Sequence, residues 1–99
     1  MDYDQFINSL KMEHPPEVSA YLKALWFEKN NGWDKAHSIV QEIHDRNGAW
    51  IHAYLHRVEG DQWNAGYWYG RADRKMPGTS TEDEWETLVR TFLTGPPDG

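Results

Sequence analysis

The sequence contains no cysteine. That removes disulfide scaffolds, cysteine-ligated zinc and thiol nucleophiles, and it fits a reducing cytoplasm. No apolar run approaches the roughly 18–20 residues of a membrane-spanning helix. Positive charge is scarce: ten Lys and Arg stand against sixteen Asp and Glu, for a formal net charge of −6. Neutralising phosphates requires a basic surface, so this balance argues against nucleic acid as a partner. The first residues, Met1-Asp2-Tyr3-Asp4, are acidic and lack the basic-then-apolar layout of a secretory leader, which again predicts a cytoplasmic protein. Aliphatic residues are also few. The hydrophobic share is 38%, below the usual range of about 45–50%.

Aromatic residues are abundant: six Trp, five Tyr and three Phe in 99 residues. Each ring can bury about 150–250 Å², so a small core is built here from few, large side chains. The length suits one small domain, which residues 1–94 are expected to form. The rings are too many and too regularly spaced for a disordered chain.

The spacing is helical nearly throughout. Tyr3, Phe6, Ile7 and Leu10 fall at i, i+3, i+4 and i+7, with Asp2 as N-cap. Pro15-Pro16 ends this helix and is expected to open the next, which carries Val18, Tyr21, Leu22, Leu25 and Trp26. Asn30-Asn31-Gly32 stops it. Asp34 is expected to cap a third helix with Ala36, Ile39, Val40 and Ile43 on its stripe, closed by Asn47-Gly48. A fourth helix, 49–59, carries Trp50, Ala53, Tyr54 and Val58 on one face and stops at Gly60. Asp61 caps a fifth, in which Gly66 and Gly70 share a face that a neighbouring helix can approach closely. Met76-Pro77-Gly78 breaks the chain, and Thr81-Glu82-Asp83-Glu84 reads as the capping box of a last helix bearing Trp85, Leu88, Val89, Phe92 and Leu93. Residues 95–99 are expected to form a disordered tail. No strand alternation is visible, which predicts an all-α domain of about six short helices.

A weak internal repeat is present. Gly32 and Gly60 are 28 residues apart, each is followed by an Asp and then an Ala (Ala36 and Ala65), and each copy reads as helix, turn, helix. Gly60, Ala65, Tyr69 and Ala72 resemble the turn and second helix of a tetratricopeptide repeat (TPR), with Ala53 at the small position of its first helix. Ala24, Phe27 and Ala36 carry the resemblance in the earlier copy. The spacing is shorter than the repeat's usual length of about 34 residues, and Ala49 and His52 stand where the family has Trp and Leu. The chain is also similar to small bacterial helical proteins. The resemblance implies stacked αα-hairpins and a protein-binding or self-associating module.

Two constellations carry chemistry. His52, His56 and Glu59 lie at i, i+4 and i+7 on one helix face, a donor set suited to a divalent metal. His37 and His44, expected on the preceding helix, can join them across a hairpin. Local hydrogen bonding of solvated histidines is the alternative. The second is an aromatic and basic group, Trp63, Asn64, Tyr67, Trp68, Tyr69, Arg71 and Arg74, which can line a binding pocket or serve only to pack helices. Three consecutive rings, 67–69, cannot all face one core. No nucleophile turn or phosphate loop is present, so no catalytic residue is assigned. The leading expectation is a non-catalytic interaction module without a cofactor. The alternative is a metal- or small-molecule-binding protein using the His52 face beside the Trp63–Tyr69 rings.

Overall fold

A computed structural model describes residues 1–95; the expected tail lies outside the described residues from 96 onward. Among those described there are six α-helices and no strand: α1 (Tyr3–Ser9), α2 (Ala20–Lys29), α3 (Trp33–Val40), α4 (Arg46–Glu59), α5 (Gln62–Arg71) and α6 (Thr81–Leu93). Successive helices pair as α2 with α3 and α4 with α5. α6 packs against α2 and α4, and α1 closes over α6. The radius of gyration of 12.4 Å is that of a single compact domain. No helix among the described residues is long and apolar enough to cross a membrane.

Helix α4 is the centre of this arrangement. It touches α2, α3, α5 and α6, and every residue from Asn47 to His56 is buried. The expected single apolar face was too narrow. The segment 47–56 contains no Asp, Glu, Lys or Arg, so it can be enclosed on all sides. Val58, expected on the buried stripe, lies beyond this segment and is exposed. Enclosure also buries His52 and His56, and each must find partners inside the protein.

Several boundaries differ from expectation, each for a local reason. α2 begins at Ala20, capped by the Ser19 hydroxyl rather than opened by Pro16. The N-cap of α3 is Gly32, with Asp34 inside the first turn. α3 ends at Val40, so Ile43 and His44 lie in a loop. Asn47-Gly48 does not close α3 but sits in the first turn of α4, because Asp45 caps that helix by accepting from the Gly48 N–H at 2.7 Å. A Cβ at Gly48 would stand 2.5 Å from the Ile43 carbonyl oxygen, so the α3–α4 loop crosses the helix where only glycine fits. Ser80, not Thr81, caps α6. Among the described residues nothing stands within 4 Å of where a Cβ on Gly66 or Gly70 would lie, so no neighbouring helix there uses their face.

Candidate functional site

The α3–α4 pairing brings three imidazoles together. His37 Nε2 lies 3.0 Å from His52 Nε2, and one ligand nitrogen from each of His37, His52 and His56 falls within 4.8 Å of the others. His52 and His56 stack in parallel along α4, with ring centroids 5.0 Å apart. His37 meets both rings edge-on from α3.

Tryptophans close the cluster on two sides. Trp33, one turn before His37, stacks on it at 5.0 Å and is anchored by donating its indole N–H to the Leu55 carbonyl at 2.7 Å. Trp68 of α5 stacks on His52 at 3.9 Å with the rings 10° from parallel. Beyond His56, Glu59 accepts from Nδ1 at 2.7 Å. That contact places a proton on Nδ1, so in the neutral imidazole the lone pair is on Nε2. Burial, reinforced by the neighbouring imidazoles, holds His52 neutral by pushing its pKa down to about 4. Burial and His56 lower His37 as well, against the opposing pull of Glu59 and Asp34. Neutral, desolvated imidazoles are the form that binds metal ions.

The three donors that meet are therefore His37, His52 and His56. Glu59 of the expected triad sits behind His56 as its hydrogen-bond partner and also groups with Asp61. His44, expected beside His37 on one helix, instead lies in the loop. It lines a cleft of about 310 Å³ with Arg46, Ala49, His52, Trp68 and Arg71.

The aromatic and basic group expected around α5 does not come together at one place. Trp68 and Arg71 face the cleft, with the Arg71 guanidinium 5.5 Å from the Trp68 ring. Tyr69 turns inward, is 2% exposed and donates to both oxygens of Glu84 at 2.7 Å. Arg74 stacks over Trp50 at 3.5 Å beside a different, smaller pocket. Trp63, 79% exposed, and Tyr67, 48% exposed, stack on each other on the outside. Asn64 donates to the capping Asp61 at 2.6 Å. Trp33 packs against the core and also forms a wall of the cluster. Its spacing of four from His37 was the available signal. Arg46 and Gln41, also at the cleft, carried no distinguishing pattern.

No protein-family model matches the chain, and neither a curated protein nor a solved structure matches it.

Proposed function

We propose that this protein binds one divalent transition-metal ion of the zinc class through His37, His52 and His56. The observation that carries the reading is the spacing of the donors. Two nitrogens bound to one tetrahedral metal at 2.0–2.1 Å lie about 3.3 Å apart, and His37 and His52 already stand at 3.0 Å. The Glu59 contact to His56 has the form of the carboxylate that orients a metal-bound imidazole. Three protein donors leave one position for water or a small ligand.

The test uses protein made without a histidine tag and stripped with chelator. Zn²⁺ should bind at one equivalent and raise the melting temperature. Co²⁺ should give the visible spectrum of a four-coordinate site. His37→Ala, on the more exposed of the two helices, should abolish both, and Glu59→Gln should weaken Zn²⁺ about 10–100-fold. A stripped protein whose heat of mixing and melting temperature ignore Zn²⁺, Co²⁺ and Ni²⁺ removes the proposal.

A second reading, self-association, is favoured by the outer face of α5. Trp63, Gly66, Tyr67 and Gly70 fall at i, i+3, i+4 and i+7 and all are exposed. The same stripe supplies large knobs and the open positions to receive them. α5 carries no acidic residue in an otherwise acidic chain. The pairing of α2 with α3 and of α4 with α5 supports a module of hairpins that stacks against another protein surface. Sedimentation velocity from micromolar to near-millimolar concentration tests it. Reversible dimers lost in Trp63→Ser support it, and a monomer throughout overturns it.

A further inference from the structure

We propose that the cleft beside the histidine cluster binds a small organic oxyanion, an acid whose carboxylate or phosphate head is held between Arg46 and Arg71. The cleft shares His52 with the proposed metal site but takes its ligand through different groups.

The first argument is charge. The chain is acidic, yet the cleft is lined by Arg46 and Arg71. The lining carboxylate, Asp45, is committed elsewhere: it accepts from the Tyr21 hydroxyl at 2.5 Å and caps α4 through Gly48. Among the described residues the arginines in ion pairs are Arg57, with Glu84, and Arg90, with Glu86. Among the described residues neither Arg46 nor Arg71 has a carboxylate within ion-pair distance. Arg71 gives one N–H to the Tyr67 hydroxyl at 3.0 Å, and the rest of its five donors are left for another acceptor. Two guanidiniums without acidic partners at one concavity suit an oxyanion.

The second argument is shape. A volume of about 310 Å³ is at the small end of organic ligand sites. The half-buried Trp68 and Ile43 supply apolar surface for a carbon skeleton, which a bare inorganic ion would not use. The cation–π contacts of Arg71 with Trp68 and Tyr67 hold its guanidinium at the rim.

The experiment titrates metal-free, ¹⁵N-labelled protein with benzoate, phenyl phosphate and neutral benzamide, following the Trp68 indole and the amides around Arg46 and Arg71. Saturable shifts confined to the cleft are expected with at least one anion, at a millimolar dissociation constant or tighter. The arm that saturates lower identifies the head group. An Arg46→Gln/Arg71→Gln double variant, altered only at exposed positions, should bind at least tenfold more weakly. The proposal is overturned if neither anion saturates, if benzamide acts equally, or if the double variant binds as the wild type does. Zn²⁺ titration of the same variant keeps the two readings distinguishable, because the metal donors are untouched.

Discussion

His37 and His52, on successive helices, hold their Nε2 atoms 3.0 Å apart. At that distance one nitrogen donates its proton to the other while no metal is bound, and a metal ion would take that proton's place between them. Trp33 covers one ring and Trp68 the other, and neither imidazole can swing away without losing its stacking partner. The geometry of the cluster is thus set by packing before any ligand arrives.

That dependence separates two tryptophans which look alike in the sequence. Trp68→Ala removes the ring on His52 and one wall of the cleft. It should cost about 2–3 kcal/mol, less than deletion of a fully buried indole. Trp63→Ala, on the exposed side of the same helix, should stay within about 0.5 kcal/mol of wild type. Urea unfolding midpoints of the two variants decide the matter. Equal losses would mean that Trp68 does not hold the site.

Glu84 is a second polar centre, buried between α4, α5 and α6. It accepts from the Trp50 indole at 3.2 Å, from the Arg57 guanidinium at 2.9 Å and from the Tyr69 hydroxyl. Arg57 also donates to the Thr79 carbonyl, tying the loop before α6 to the same group. Tyr69→Phe removes one of several donors and should cost about 1 kcal/mol. Glu84→Ala takes the shared acceptor from the half-buried Arg57 and from the buried Trp50 and Tyr69 donors, and should cost about 3–5 kcal/mol. A double-mutant cycle should return a coupling well above the scatter of independent sites. Additive losses would show that Tyr69 and Glu84 act separately.

Much of this was legible. The helical stripes, Asp2, Gly60 and Asp61 announce themselves because caps and periodicity are local properties. What was not legible depends on which faces meet. The loop crossing at Gly48 hid the true start of α4, since Asn-Gly ordinarily signals an end. The histidines on α4 were visible as a face, with His37 and His44 offered across a hairpin; the α3–α4 packing brought up His37, left His44 in the loop and set Glu59 behind His56. The division of Tyr67, Trp68 and Tyr69 among solvent, cleft and core follows from which face of α5 packs on α4, which no window of the sequence encodes. The uncharged stretch 47–56 was a signal that α4 is central.

The Glu28–Tyr54 contact sets a pH dependence. Tyr54 donates to Glu28 at 2.6 Å, and burial raises the Glu28 pKa above its ordinary value, with the tyrosine hydrogen bond and Lys29 opposing. A raised carboxyl pKa means that the folded state binds the proton more tightly than the unfolded state. Stability from this group is complete below the ordinary value of 4.5 and is lost as pH rises through the folded pKa. Glu28→Gln keeps an acceptor for Tyr54 and removes the ionisation. The variant should gain on wild type as pH rises from 4.5 towards 7, read as diverging urea midpoints. Parallel curves would show that Glu28 ionises without penalty.

The glycines give opposite expectations from one substitution. Gly66 lies inside α5 with open space around a built Cβ, so Gly66→Ala gains the helix preference of alanine without a clash. It should stabilise the monomer by about 0.5–1 kcal/mol. Gly48 is also helical, but its Cβ would press on the Ile43 carbonyl at 2.5 Å and on the Ile43 side chain at 2.8 Å. Backbone on one side and α4 on the other leave no cheap way to yield, so Gly48→Ala should destabilise by about 1–3 kcal/mol. It should also displace the loop that carries His44 and Asp45 into the cleft. Thermal melts of both variants check the signs. A stabilised Gly48→Ala would mean that the α3–α4 loop is free to move off the helix, and with it one wall of the proposed anion site.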